Sequence, residues 1–167
     1  MTMHLAGYEP GPRRRNGLAT IREDIHLHIP AAEARAAVAD PTAYGAWLPD
    51  SIGNYQADTE GLRIDIELPG RTETLSVRRA PSDDHREVLF RLDRGGAVEE
   101  LAWGLHSEGQ RECHITIEIA YRPASGFVGG AMETLLHRPQ RTQAIRDLLW
   151  NLKRALEGPR DEAEPPG

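Results

Sequence analysis

Residues 139–156 read PQRTQAIRDLLWNLKRAL, and the fold turns on how this stretch is read. Ile145, Leu148, Leu149, Leu152 and Leu156 recur at helical spacing and form one apolar stripe. Pro139 suits a first helical turn, where its missing N–H is not needed, and Gly158-Pro159 is a stop signal. Trp150 stands apart. At about 100° per residue it falls about 140° from Ile145, while the aliphatic members lie within roughly 60°. Its indole is expected on the outer face, as a homodimer contact or as a seat for Leu5 and Tyr8 of the N-terminal segment.

Almost everything upstream alternates apolar and polar residues with period two. Residues 21–29 (IREDIHLHI) put Ile25, Leu27 and Ile29 on one strand face, and Pro30 ends the run. Residues 31–39 are an alanine-rich helix broken by Asp40-Pro41, and residues 42–48 supply a second helical turn or two. Strands follow at residues 54–59, 62–68 (LRIDIEL), 72–79, 87–92, 98–106 and 112–121. Glu60-Gly61, Pro69-Gly70 and Gly95-Gly96 supply turns between them. The set Arg63, Asp65, Glu67, His114, Thr116 and Glu118 is polar throughout, as a solvated sheet face requires. Residues 127–137 read as a helical lead-in kinked at Pro139. A long amphipathic helix arriving after such a run needs a sheet face to cover. The pattern predicts an α+β domain over residues 21–158, preceded by a flexible arm (1–20) and followed by a disordered acidic tail (159–167).

Composition narrows the function. A chain of 167 residues with 39% hydrophobic and 28% charged residues suits one soluble domain with a real core. No apolar run reaches the roughly 20 residues of a membrane span. Arg13-Arg14-Arg15 is not followed by an apolar segment, so no signal peptide is expected, and the single Cys113 excludes an internal disulfide framework. These features point to the cytoplasm. A net charge of −6 lacks the phosphate attraction of most nucleic-acid binders, so no nucleic-acid partner is expected.

The order strand, two short helices, about six strands and long helix, together with its local wording, resembles the SRPBCC or START-like helix-grip superfamily. That superfamily includes the major birch-pollen allergen, and the nearest flavour is the bacterial polyketide cyclase/dehydrase-like branch. The residues carrying the likeness are IHLHIPAAEARAAVADPTAYGAWLP (25–49), IEIAYRPASGFVGG (117–130) and LLWNLKRALEG (148–158). The resemblance implies a curved antiparallel sheet wrapped around the long C-terminal helix, with an apolar cavity between them. It also implies a hydrophobic ligand, polyketide-, aromatic- or lipid-like. The family spans cofactor-free cyclases and dehydratases, non-catalytic carriers or sensors, and interaction modules of toxin or chaperone-activator type. No cofactor is expected.

The cavity would be lined by Tyr44, Trp47, Phe90, Leu101, Trp103, Ile115, Ile117, Ile119, Met132, Leu136, Ile145, Leu148 and Leu149. Such pockets run to several hundred Å3 in order of magnitude, although the same residues can instead close-pack. Glu23, Glu73, Glu99 and Tyr121 share parity with the inward apolar set. A carboxylate at a cavity mouth can act as a general base; alternatively, all four sit at strand ends where the sheet reaches water. His137, Arg138 and Arg141 flank the expected kink, placed to meet an acidic head group or simply solvated. His26 and His28 share the solvated face of the first strand, but two ligands fall short of the three or four a metal site needs, so no metal is expected. Cys113 reads as a buried, inert thiol. No hydrolase, phosphate-loop or dinucleotide motif is present.

Overall fold

The computed structural model describes residues 17–83, 85–123, 126–132 and 137–158. Its elements run β1 (Ala19–Leu27), α1 (Ala31–Ala39), a 3-10 helix (Pro41–Ala46), β2 (Ile52–Ala57), β3 (Gly61–Leu68) and β4 (Arg71–Ala80). They continue with β5 (Val88–Leu92), β6 (Val98–Gly109), β7 (Glu112–Tyr121), α2 (Phe127–Met132) and α3 (Arg138–Glu157). All seven strands join one sheet in the order β1-β7-β6-β5-β4-β3-β2, with every pairing antiparallel. This is the helix-grip architecture the sequence predicts.

Helix α3 packs against both β1 and β3. These strands are five places apart in the sheet, or about 24 Å if it were flat. A helix about 10 Å across can touch both only if the sheet curls round it. Ile145, Leu148, Leu149 and Leu152 are buried on its inner face, while Trp150 is 57% exposed on the outer one. Polar contacts hold both ends. At the C-terminal end, Lys153 donates to the His26 carbonyl at 2.8 Å, and Glu157 accepts the His28 N–H at 2.7 Å. At the N-terminal end, His137 Nε2 lies 2.9 Å from the Pro69 carbonyl in the β3–β4 turn. Gly158, at φ 70°, ends the helix in a conformation that glycine adopts without penalty.

Local chemistry explains the shorter elements. The Pro30 carbonyl accepts the N–H groups of Glu33 and Ala34 to start α1, and Asp40 accepts both the Thr42 N–H and its hydroxyl to start the 3-10 helix. Strand β1 begins and ends two residues earlier than its alternation suggests. Ala19 already pairs with Tyr121, whereas the His28 N–H is taken by Glu157 and Pro30 has none to give. Strand β2 is likewise shifted to 52–57 and carries a register break between Gly53 and Gln56, with Asn54 at φ 50°. The expected helical lead-in runs partly through residues 133–136, and the segments assigned as arm and tail fall largely on residues 1–16 and 159–167, outside the described residues; Pro139, the site of the expected kink, stands in the first turn of α3. No described helix is long and apolar enough to cross a membrane.

Candidate ligand-binding site

Alternation along β4 turns Glu73 inward with Leu75 and Val77, and alternation along β7 turns Tyr121 inward with Ile115, Ile117 and Ile119. The first turn of α3 brings Arg141 to meet them. Arg141 is fully buried and grips Glu73 with two bonds, Nε to Oε1 at 3.1 Å and Nη2 to Oε2 at 2.9 Å. Arg71, on the same strand, donates to Glu73 Oε2 at 2.8 Å. The Arg141 guanidinium lies 3.9 Å from the centroid of the Tyr121 ring, a cation–π contact shielded from water. Two of the four polar candidates thus meet inside, joined through an arginine.

The other two lie in half-buried ion pairs nearer the surface. Glu23 meets Arg146 at 3.1 Å, and Glu99 meets Arg122 at 2.7 Å. All three candidate carboxylates are therefore engaged by guanidinium groups.

Glu73 also opens onto a groove of about 590 Å3 on the sheet. The groove exists because β5 pairs with β4 only over Val77–Ala80, so the sheet parts beside residues 71–76. The β5–β6 loop crosses this gap. A Cβ on Gly96 would stand 2.5 Å from the Thr74 carbonyl, and its φ is 137°, so glycine lets the loop come this close. Arg63, Arg71, Arg94 and Arg122 line the groove with Glu73 as their acidic counterpart, giving four positive side chains to one negative. In a chain of net charge −6 this is a local reversal of sign. The sequence reading missed these arginines. The only local signal was their position beside turns: Arg71 follows Pro69-Gly70 and Arg94 precedes Gly95-Gly96.

The apolar candidates divide into two groups. Tyr44, Trp47, Phe90 and Trp103 form an aromatic cluster with ring centroids 4.3 to 6.3 Å apart. Trp103 Nε1 donates to the Tyr44 hydroxyl at 2.9 Å, which in turn donates to the Val38 carbonyl at 2.6 Å. Burial holds the Tyr44 hydroxyl far above its usual ionisation range, so it stays protonated. Leu101, Ile115, Ile117 and Ile119 are buried on the inner face of β6 and β7, in one core cluster with Ile145, Leu148 and Leu149 of α3. Met132 is half-buried, and Leu136 lies outside the described residues. Neither this groove nor a second one, of about 1180 Å3 between residues 49–51 and the Trp150 face of α3, is lined by the aromatic cluster or the aliphatic series.

A curled antiparallel sheet gripping a C-terminal helix defines the class of fold, and the sequence defines the family within it. The chain belongs to the polyketide cyclase / dehydrase and lipid transport family, whose model matches residues 19–157. No curated protein matches the chain. Among solved structures, it is similar to the KanY protein, with 16% identity, TM-score 0.69, and coverage of 85% of this chain and 99% of that one. A START superfamily protein from Mycobacterium smegmatis is similar at 15% identity and TM-score 0.59, covering 83% and 97% of the two chains. The Zhui aromatase/cyclase from Streptomyces sp. R1128 is similar at 12% identity and TM-score 0.57, covering 83% and 96%. At these identities the structural likenesses establish the fold.

Proposed function

We propose that the protein binds a hydrophobic polyketide-, aromatic- or lipid-like molecule whose acidic or enolisable end is held in the arginine groove. The observation that carries this reading is the groove itself: four arginines around an opening in the sheet that ends on the buried Glu73–Arg141 pair. Guanidinium groups bind carboxylates and enolates with charge-assisted hydrogen bonds. The apolar part of the ligand lies toward the inner face of β6 and β7, as the family assignment suggests.

The carrier reading stands first. Glu23, Glu73 and Glu99 are each committed to a guanidinium partner, which competes with a substrate proton for the carboxylate. Cofactor-free cyclase or dehydratase chemistry is the second reading. It is favoured by the arginines that line the groove beside Glu73, where a guanidinium can stabilise a developing enolate oxygen.

The test compares palmitate with hexadecanol by native mass spectrometry and Trp fluorescence. Palmitate is expected to bind about ten-fold or more tighter, the effect of one charge-assisted hydrogen bond, and Arg94→Ala with Arg122→Ala is expected to erase the difference. Equal affinity refutes the head-group assignment, and no binding of either refutes the ligand reading. Release of an aromatic poly-β-ketone analogue unchanged supports the carrier; its conversion to a cyclised or dehydrated product supports the enzyme.

A further inference from the structure

The outer face of the sheet carries a cluster unrelated to the arginine groove. Alternation along β1 turns His26 outward beside the inward Leu27, and the β1–β7 register sets His26 directly opposite His114. The β6–β7 hairpin brings Glu108 to the same spot. His26 Nδ1 lies 3.0 Å from Glu108 Oε2, and His114 Nδ1 lies 3.3 Å from Glu108 Oε1. One ligand atom from each of these three residues lies within 4.8 Å of the others. Ligands held about 2.0–2.1 Å from a tetrahedral ion are themselves about 3.3–3.5 Å apart. Small side-chain rotations close the set, and all three side chains are partly exposed, so nothing packed has to move.

A second observation points the same way. The other ring nitrogen of His114, Nε2, contacts the Asp24 carboxylate. A carboxylate on the far side of an imidazole fixes its tautomer and leaves the near nitrogen unprotonated, which is how metal-binding histidines are commonly oriented. The objection to His26 and His28 as ligands was their number. The fold answers it with residues remote in sequence: Asp24 and His114 are 90 positions apart.

We propose that His26, Glu108 and His114 bind a divalent d-block cation of the zinc type, with Asp24 as the positioning residue for His114 and water at the fourth coordination position. Two imidazoles and one carboxylate suit Zn2+ and disfavour Mg2+ and Ca2+, which require mostly oxygen ligands. His26 also belongs to a neighbouring set with His28 and Glu112, where His28 Nδ1 lies 3.3 Å from Glu112 Oε1. One nitrogen serves one ion, and the first set is assigned because its histidine has the orienting carboxylate. The site is at the far end of β7 from Arg122, eight residues or about 26 Å along the strand. It therefore acts apart from the ligand groove, pinning the edge strand β1 to the β6–β7 hairpin.

The test uses untagged, chelator-treated protein titrated with Zn2+ alone by calorimetry and thermal unfolding, and with Co2+ by visible absorption. One ion per chain is expected, with Tm rising by about 5–10 °C at 100-fold excess over Kd. His26→Ala and His114→Ala are each expected to weaken binding about 100-fold or more, and Asp24→Asn by about 10–100-fold. His28→Ala is expected to change it less than about three-fold, with circular dichroism confirming that every variant is folded. Absence of saturable Zn2+ binding overturns the proposal. So does wild-type affinity in His114→Ala, and a loss on His28→Ala that matches His26→Ala assigns any ion to the other set and overturns this one.

Discussion

Replacing Arg141 with methionine tests whether the Glu73–Arg141 pair is an interior contact that organises the grip. Arg141 is fully buried and Glu73 is 5% exposed, so neither charge is solvated in the native state. Methionine keeps most of the volume and removes the charge, both bonds to Glu73 and the contact over Tyr121. Removing one partner of a buried pair costs about 3–5 kcal/mol, because the other charge is left in low dielectric. For a domain of this size each kcal/mol lowers Tm by about 2–4 °C, so the expected drop is about 6–20 °C. Arg71 remains to compensate Glu73 in part, which places the expectation in the lower half of that range. The double variant Glu73→Leu with Arg141→Met removes both charges and is expected to be more stable than Arg141→Met alone. Thermal and urea unfolding of the wild type, Arg141→Met, Glu73→Leu and the double variant closes the cycle. A single-variant loss below about 1 kcal/mol, or strict additivity in the double, refutes the idea of a desolvated, coupled pair.

Three further outcomes follow from individual contacts. Tyr44→Phe removes the acceptor of the Trp103 indole and the donor to Val38, and is expected to lower stability by about 1–3 kcal/mol in urea unfolding without altering the sheet. Cys113 is fully inaccessible and burial pushes its thiol up, so it is expected to resist a thiol reagent at pH 8 until the protein unfolds. Burial alone would raise the Glu157 carboxyl, but the Lys153 ammonium and the His28 N–H hold it below the usual carboxylate range. A depressed native pKa contributes stability above the unfolded value of about 4.3, and that contribution is lost as pH falls through the native value. Glu157→Gln is therefore expected to cost about 1.5 kcal/mol at pH 7 and to approach the wild type as pH falls through the native value, as read by Tm against pH.

The fold was legible because its signals are local. The stripe on α3 and the faultless alternation of β3 and β7 each needed only a short window to read, and all three elements lie where the pattern puts them. Even the outward Trp150 follows from helical angle alone. The misplaced boundaries have non-local causes. Strand β1 stops at Leu27 because a glutamate 129 positions away takes the next N–H. The break in β2 depends on Asn54 reaching Asp65 on the neighbouring strand, which no property of residues 52–57 announces.

The functional residues were harder to read because their meaning comes from pairing. Parity correctly turned Glu73 inward, but parity does not say what a buried carboxylate will meet, and the answer, Arg141, is 68 positions away on another element. The same alternation that brings Leu75 into the core brings Glu73 there, so the charge is acceptable only because α3 arrives with a guanidinium at that height. The pair is thus a register mark: a slide of α3 by one turn keeps the apolar stripe facing the sheet but takes Arg141 from Glu73 and leaves that buried carboxylate without it, a penalty the leucine stripe alone does not impose. Such a slide puts Leu149, Leu152 and Leu156 in the places of Ile145, Leu148 and Leu152 and changes little apolar area. Specificity of the grip therefore rests on a few polar contacts, Arg141 at one end and Lys153 with Glu157 at the other, while its stability rests on the leucines between them.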